Sequence, residues 1–396
     1  MVSVAEASEI ILSNLYQSKI EKIDLLHAIG KALAEKIFAD RDFPPFDRVA
    51  MDGIALCFND WQDGHRDFPV VATQAAGEPD RKQYKANTCI EVMTGAILPH
   101  GTDTVIRYED VEIKDDVATI LRNDIQARQN IHEQGQDKNK DAVLLEPHII
   151  LSSAEIALLA SVGKKEVDVF SLPKVAVVST GNELVEITEI PKPYQIRRSN
   201  SYALEAALKN MGCSSTSFHV NDEKDALLES VQAIVAQHDL IILSGGVSKG
   251  KFDFIPETVE RIGIRKKFHQ VSQRPGKPFW FGVGKDKVVF ALPGNPVSTY
   301  MCFYRYIKPW LLKSLGVVEK PLFAILAEDF IFQPKLTYFL QVKVFNEFGR
   351  LMAYPLTGGG SGDFVNLKDV DGFLELPLEK TEFKAGEVFV YIPFRL

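Results

Sequence analysis

The sequence predicts a multidomain α/β protein: a central, doubly wound, mostly parallel sheet, a helical segment, an inserted mostly-β domain and a C-terminal β domain. Three observations predict it. Apolar runs alternate with helical patterns over residues 173–315. Short β-type runs separated by turn residues fill residues 44–144, and more such runs occupy residues 316–396.

The strands and helices expected for the central domain alternate along the chain. Strands are predicted over residues 174–180, 214–220, 240–244 and 288–292. Helices are predicted over residues 202–211, 222–237, 254–262 and 296–315. Continuous apolar strands between helices indicate a parallel sheet that is covered on both faces.

A helical and linking domain is predicted from residues 1–43 and 145–172, interrupted by the inserted domain at residues 44–144. Helical periodicity covers residues 3–17, where Ser3 and Glu6 form a capping-box pattern. The other expected helices cover residues 21–38 and 152–162, the last with Ser152 or Ser153 as its cap.

Composition excludes several classes of protein. The net charge is −8, so a diffuse basic field for nucleic acid is not expected. The four cysteines form no CxxC pair, which favours buried thiols in a reducing compartment over disulfides or zinc sites. A signal-peptide pattern and an apolar run of roughly 18 residues are both missing, so we expect a cytoplasmic protein that does not bind membranes.

Residues suited to phosphate binding follow three of the predicted parallel strands. These loops cover residues 179–184 (STGNEL), 244–250 (SGGVSKG) and 293–296 (PGNP). Glycines let the backbone approach an anion, and exposed N–H groups at a helix start supply positive potential. Residues 274–278 (RPGKP) add two cations on a turn. Because the carboxyl ends of parallel strands share one edge, the loops are expected to converge.

Three acids lie in or near the same loops: Glu183, Asp222 and Asp253. Carboxylates beside a phosphate site repel it unless a hard divalent cation such as Mg²⁺ binds both. The residues therefore predict a Mg²⁺-dependent enzyme that acts on a small molecule bearing phosphate.

Plainer interpretations of these loops stay open. Asp222 and Asp253 are also suited to cap the helices that follow them, and Glu183 could be a solvated acid of a turn. Residues 245–246 could form only a tight strand exit, and residues 293–296 a turn before a helix. In the inserted domain, Asp52 precedes glycine in an ordinary turn dipeptide.

Eight stretches, in this order along about 250 residues, resemble the MoeA-type molybdopterin molybdotransferases, a family related to the E domain of gephyrin. They are residues 44–55 (PPFDRVAMDGIA), 91–99 (EVMTGAILP), 101–109 (GTDTVIRYE), 177–184 (VVSTGNEL), 198–202 (RSNSY), 244–253 (SGGVSKGKFD), 274–282 (RPGKPFWFG) and 292–297 (LPGNPV).

The resemblance implies a homodimer of four-part subunits, with the crevice between the α/β domain of one subunit and the β domain of the other. The implied reaction transfers molybdenum from molybdate to adenylylated molybdopterin and releases AMP, with Mg²⁺ required. Other proteins of molybdenum-cofactor biosynthesis are conceivable partners.

Site residues also follow from the resemblance. Asp222 and Asp253 match Mg²⁺-linked carboxylates, and Glu183, Asp52 and Thr94 complete the implied catalytic set. The implied cofactor-binding residues are Ser244, Gly245, Gly246, Ser248, Arg274, Lys277, Pro293, Gly294, Asn295 and Ser361.

The chain departs from the family pattern at three positions where the family commonly has cations: Gln270, Leu336 and Gln341. These replacements remove cations that would be expected to help hold an oxyanion. They motivate an alternative function, a weakly active or inactive paralogue that binds molybdopterin or acts as a scaffold. A further alternative is a molybdopterin-binding enzyme that resembles the CinA family.

Overall fold

The structure is a computed structural model that describes residues 1–80, 84–221, 223–247 and 254–395, without the side chain of Asp225. The chain divides into two compact units. The first comprises Met1–Ala34, Pro147–Ile156 and Lys165–Leu396, and the second comprises Glu35–Glu146 and Ala157–Lys164. The division into four domains that the sequence predicts stays a prediction.

A six-stranded sheet forms the centre of the first unit, which confirms the predicted fold class. Four neighbouring strands are parallel, and two antiparallel strands complete one edge. In spatial order the strands are Ser215–Val220, Val175–Thr180, Leu240–Ser244, Lys287–Leu292, Pro278–Gly284 and Arg265–Gln270. Ser179 is level with Ser244, and Ser244 with Leu292, so the carboxyl ends of three strands end together.

Both faces of this sheet are covered, because successive side chains of a strand point to opposite faces. Val175 and Val177 pack in one apolar cluster, and Ala176 and Val178 pack in another. The helices of the first cluster are Val4–Leu12, Ser199–Asn210, Pro296–Cys302 and Lys308–Ser314, and the π-helical turn Phe303–Ile307 joins the last two. The helices of the second cluster are Lys224–Gln237 and Ile255–Arg261.

The N-terminal segment confirms one predicted helix and corrects another. Val4–Leu12 is helical, and its capping box is present, with the Glu6 N–H 3.1 Å from Ser3 Oγ. The helix predicted over residues 21–38 is wrong. Ile20–Asp24 is instead a strand, bonded antiparallel to Glu166–Phe170.

The helical pattern of that segment was misleading because its apolar residues do not form a buried face. Ile20, Leu26 and Ile29 are 61%, 75% and 54% exposed. Leu25–Ala28 makes a single 3₁₀ turn before Gly30 at φ +74°. The helix Ser153–Ser161 matches its prediction, and the Ser152 hydroxyl accepts a hydrogen bond from the Ala154 N–H at 3.2 Å.

The second unit is mostly β, as predicted. Its six-stranded sheet has the order Thr104–Arg107, Gly53–Leu56, Cys89–Val92, Asp67–Gln74, Val117–Ile120 and Val111–Lys114. Two small antiparallel pairs lie outside this sheet: Arg48–Val49 with Ile131–His132, and Ile37–Phe38 with Val143–Leu145. The unit also contains the short helix Phe58–Gln62 and the 3₁₀ turn Tyr108–Asp110.

A third six-stranded sheet forms at the C-terminal end of the first unit. Its order is Gln273–Arg274, Thr337–Glu347, Arg350–Pro355, Leu322–Leu326, Val388–Pro393 and Gly372–Leu376. An additional pairing of the second strand with the last closes five strands into a barrel. Its remaining elements are the pair Phe330–Ile331 with Glu382–Phe383 and the 3₁₀ turn Val365–Lys368. Leu184–Val185 and Ile196–Arg197 pair near the central sheet.

Among the described residues, no helix has the length and apolar character needed to cross a membrane.

Arg305, on the π-helical turn, ties three parts of the first unit together. Its Nε lies 2.6 Å from Glu375 Oε2 on the barrel, and its Nη1 donates to Ser8 Oγ on the N-terminal helix at 3.0 Å. Each partner of the ion pair is 20% exposed, so both charges are largely removed from water. Breaking such a pair leaves one charge buried and uncompensated.

We expect Arg305→Met to lower the free energy of unfolding by about 3 kcal/mol, because it strands the Glu375 carboxylate. The double variant Arg305→Met with Glu375→Leu removes both charges and should recover most of that loss. Urea denaturation followed by tryptophan fluorescence measures both values. A double variant as unstable as the sum of the single changes would contradict the pairing.

Candidate functional site

Loops from neighbouring strands touch at the carboxyl end of the central sheet. The Gly245 N–H donates to the Leu292 carbonyl at 3.1 Å, which joins the ends of two strands. A Cβ placed on Gly294 would lie 3.7 Å from the Gly245 Cα. The predicted convergence of these loops is therefore present in the first unit.

A cavity of about 290 Å³, which we call the strand-end cavity, opens between these loops. Its lining includes hydroxyl, amide, carboxylate and guanidinium groups together with bare backbone. Among the lining residues are Thr180, Glu183, Arg198, Asn200, Ser244, Gly245, Gly294 and Asn295. Small residues and polar groups of this kind suit a phosphate-bearing ligand.

Glycine is required at two positions of the loop after Ser244. Gly245 and Gly246 have φ values of +101° and +66°, a region that side chains disfavour. A Cβ on Gly245 would lie 2.9 Å from the Thr180 carbonyl oxygen, and one on Gly246 would lie 2.8 Å from Ile255 Cγ1. The loop is therefore pressed against its neighbours, which explains the tight exit from the strand.

Asn200 is a site residue that the sequence reasoning missed. It lies in the first turn of the helix Ser199–Asn210, and its Nδ2 is 3.0 Å from Ser244 Oγ and 2.8 Å from the Gly294 carbonyl oxygen. One amide thus fixes two of the strand-end loops relative to each other. The sequence offers one indication of this role: residue 200 lies inside residues 198–202 (RSNSY), one of the stretches that resemble the MoeA family.

Two oxygen groups of the strand-end cavity come from the loop that follows Thr180. The Thr180 hydroxyl is buried and has no hydrogen-bond partner among the described residues. The Glu183 carboxylate is exposed and lies beside Gly181. Burying a hydroxyl without a partner costs free energy, so the Thr180 oxygen is suited to contact a ligand.

A second cavity of about 290 Å³, the basic cavity, adjoins the first, and Asn295 lines both. It holds the exposed cations Arg274 and Lys277 on one turn. Neither cation has an ion pair with a described carboxylate. Other predicted site residues that line it are Pro293, Asn295 and Ser361.

The glycine-rich loop around Ser361 is fastened to the loop of Asn295. Asn295 Nδ2 donates to Ser361 Oγ at 2.8 Å, and the Val297 N–H donates to the Ser361 carbonyl oxygen at 3.1 Å. The predicted residues Asn295 and Ser361 are therefore direct neighbours. Since Asn295 precedes the first turn of the helix Pro296–Cys302, the barrel loop is held at a helix start.

The departures from the family pattern leave part of the basic cavity without charge. Gln341 and Leu336 both line it. Gln341 is 5% exposed, and its Nε2 donates to the Thr357 carbonyl at 3.3 Å while its Oε1 accepts from Asn366 Nδ2 at 3.3 Å. Gln341 therefore connects Thr357 and Asn366 in the cavity wall, at a position where the family pattern has a cation.

Asp52 and Thr94 lie together in the second unit. Asp52 Oδ1 accepts hydrogen bonds from the Thr94 hydroxyl and from the Thr94 N–H, each at 2.6 Å. The hydroxyl donor, followed by the N–H donor, lowers the pKa of the exposed Asp52 carboxyl below its usual value. Asp52 therefore remains ionised while it holds the loop of Thr94.

Three predicted site residues, Asp222, Ser248 and Asp253, lie outside the described residues. The positions before the first turns of the two adjacent helices are held by Glu223 and Phe254, neither of which caps its helix through a side chain. The metal ligands expected from the sequence accordingly stay a prediction.

The fold and these two cavities define a class: multidomain α/β proteins with polar, glycine-rich cavities at the carboxyl ends of parallel strands. Comparisons with known proteins narrow the class. The MoeA N-terminal region (domain I and II) matches residues 2–163, a probable molybdopterin binding domain matches residues 176–313, and the MoeA C-terminal region (domain IV) matches residues 324–394.

Full-length relatives agree with these family matches. A Synechocystis protein named molybdopterin molybdenumtransferase is 39% identical, over 99% of each chain. One of the same name from Staphylococcus epidermidis is 31% identical, over 98% of this chain and 94% of that protein. The crystal structure of a molybdopterin biosynthesis MoeA protein from Pyrococcus horikoshii OT3 superposes over 100% of both chains with a TM-score of 0.86 and 28% identity.

The chain belongs to the MoeA family. The N-terminal and C-terminal matches flank the central one, which argues against the CinA-like alternative.

We expect Thr94→Val to raise the pKa of Asp52, because it removes the hydroxyl donor and keeps the shape of the side chain. Any stability that this pair contributes is present above the ordinary pKa of 3.8 and is lost as the pH falls through the lowered value. A ¹³C NMR titration of the Asp52 carboxyl measures the shift, and Thr94→Ser is the matched control that keeps both donors. An identical pKa in the valine variant and the unsubstituted protein would show that the hydroxyl is not a donor.

Proposed function

We propose that this protein is a molybdopterin molybdenumtransferase of molybdenum-cofactor biosynthesis. It inserts molybdenum from molybdate into adenylylated molybdopterin and releases AMP. The observation that carries the proposal is the pair of adjoining cavities at the strand ends, one polar and rich in glycine and one basic. Relatives that match the whole chain bear the name of this activity.

The two cavities suit different parts of the substrates. In the proposal, the strand-end cavity holds the phosphate-bearing part of the pterin against the glycines and Ser244, with Ser248 in the same loop. The basic cavity holds molybdate between Arg274, Lys277 and Ser361, since cations and hydroxyl donors stabilise an oxyanion. Asn295 lies on the boundary and is placed to contact both ligands.

Mg²⁺ is part of the proposal, and the donor chemistry of the strand-end cavity fits it. Mg²⁺ prefers oxygen ligands. The cavity offers the Glu183 carboxylate and the unpartnered Thr180 hydroxyl. The described residues do not by themselves contain a cluster of three metal-binding side chains. Asp222 and Asp253 are proposed to complete the set, and a bound Mg²⁺ would offset the repulsion between carboxylates and phosphate.

We further propose that the protein is a cytoplasmic homodimer and that Asp52 and Thr94 belong to its functional set. All four cysteines are free, and burial raises the pKa of Cys89 and of Cys213 to about 12, which suits thiols that stay reduced. Leu26, Ile29 and Ile150 expose apolar side chains on the first unit, as a surface covered by a second copy would. Light scattering of the purified protein would measure its mass in solution.

The alternative is a paralogue that binds molybdopterin without turnover. Gln341 and Leu336 favour it, because they leave the basic cavity with fewer cations than the family pattern has. The two candidates differ in one outcome: the alternative predicts tight pterin binding and no AMP.

An assembly assay tests the proposal. Purified protein is mixed with adenylylated molybdopterin, molybdate and Mg²⁺, and AMP is measured together with reconstitution of a molybdoenzyme. We expect Asp253→Asn to reduce AMP release by about 100-fold or more, because it removes a charge from the site. Asp286→Asn, in the turn before the strand Lys287–Leu292, is the matched control and should keep full activity. Full activity of Asp253→Asn would remove that residue from the metal site.

We expect Gln341→Arg to lower the dissociation constant for molybdate by about tenfold, because a new charge-assisted hydrogen bond contributes about 1.5–3 kcal/mol before its own desolvation. The gain should shrink at high ionic strength. Gln341→Met, which adds no charge, is the control. Equal molybdate binding by all three proteins would place residue 341 outside the oxyanion site.

A further inference from the structure

A buried amide lies directly beneath the turn that carries Arg274 and Lys277. Gln273 is completely buried. Its Nε2 donates to the Gly276 carbonyl oxygen at 2.9 Å, and its Oε1 accepts a hydrogen bond from the Tyr306 hydroxyl. One side chain therefore connects the inside of the turn to the long helix behind it.

Tyr306 is equally enclosed. It is 2% exposed, and its ring packs against Phe279 with the ring centres 5.0 Å apart. Burial raises the pKa of Tyr306 well above its usual value, so the hydroxyl keeps its proton and remains a donor. It lies on the π-helical turn Phe303–Ile307, and such turns interrupt the α-helical spacing of side chains, often at functional sites.

The turn is also confined on its other sides. Gly276 has φ +86°, and a Cβ there would lie 3.0 Å from both Cys302 Sγ and Gln273 Nε2. The Arg274 guanidinium lies 5.9 Å from the Phe332 ring, which stacks on Tyr338 at 4.1 Å. The aromatic pair beside Arg274 and the buried amide bonded to Gly276 leave the turn little room to shift.

Buried hydrogen bonds are expensive to break without replacement, because an unsatisfied donor or acceptor in a low-dielectric interior loses its solvation. A displaced turn would leave the Gly276 carbonyl unpaired and would leave Gln273 Nε2 with only its weaker contact to Cys302 Sγ at 3.7 Å. The polar pair therefore fixes the backbone from which Arg274 and Lys277 project. Precise placement matters here, because Gln341 and Leu336 add no charge to the basic cavity.

We propose that Tyr306 and Gln273 are positioning residues for the oxyanion substrate: through the Gly276 carbonyl they hold the turn of Arg274 and Lys277 in the geometry that binds molybdate. The inference deepens the proposed function and rests on the assignment of molybdate to the basic cavity. Gln273 lies in the wall of the basic cavity with its amide bonded to Gly276 and Tyr306, and Tyr306 does not line the cavity. Their effect is on how tightly the oxyanion is held.

Calorimetry with molybdate alone and the full-length protein tests this inference without needing the pterin. Tyr306→Phe removes one hydroxyl and keeps the ring. We expect it to weaken molybdate binding by about tenfold, as changes behind a binding site commonly do. In the assembly assay, the KM for molybdate should rise in parallel, while kcat at saturating molybdate changes by less than about twofold.

Tyr304→Phe is the matched control on the same π-helical turn, since the Tyr304 ring packs against Phe394 with the ring centres 5.8 Å apart and does not line the basic cavity. It should leave molybdate affinity unchanged. Unchanged affinity in Tyr306→Phe would overturn the proposal, and so would equal losses in both tyrosine variants.

The double variant Gln273→Met with Tyr306→Phe separates positioning from simple unfolding, because it removes the donor and the acceptor of the Tyr306–Gln273 hydrogen bond together and leaves only the Gly276 carbonyl without its partner. We expect it to stay folded, with one cooperative thermal transition at a somewhat lower midpoint, while molybdate binding is about tenfold weaker. Normal affinity in a stable double variant would overturn the positioning role.

Failure of the proposed function would give a different result: the unsubstituted protein would bind molybdate and release no AMP. An unsubstituted protein that does not bind molybdate would overturn both.

Discussion

Parallel pairing of the strands in the central sheet is the constraint on which the rest of the first unit depends. Because Ser179, Ser244 and Leu292 are level, the loops that follow them must leave the sheet at one edge. The loops are then close enough for the Gly245 N–H to bond the end of the neighbouring strand and for Asn200 to bridge two of them. The strand-end cavity is a consequence of that register.

The long helical segment after Asn295, residues 296–314, is a second element that positions the candidate site. The loop at its start contacts Ser361. On its π-helical turn, Tyr306 donates a hydrogen bond to Gln273, and Arg305 forms an ion pair with Glu375 of the barrel. Two residues of the turn Phe303–Ile307 therefore have separate parts: Arg305 forms the buried ion pair, and Tyr306 is the proposed positioning residue.

Much of the central domain could be predicted, because buried parallel strands and their glycine loops leave direct signals in the sequence. The segment at residues 21–38 could not, since its apolar spacing imitates a helix while its backbone pairs with residues 166–170. Asn200 gave little signal of its own, because its role depends on two loops that meet only in the folded chain. Gln273 was equally hidden, since a lone glutamine beside a basic turn looks like an exposed polar residue, whereas the structure buries it completely.

In the proposed arrangement the two adjoining cavities divide the substrates, with the oxyanion in the basic cavity and the phosphate-bearing part of the pterin in the strand-end cavity. A crystal structure of the protein with tungstate, a heavy analogue of molybdate, tests it most directly through anomalous scattering. We expect one anomalous peak within hydrogen-bond distance of Arg274, Lys277 and Ser361. A peak beside Ser244 and Gly245, with the basic cavity free of tungstate, would contradict it.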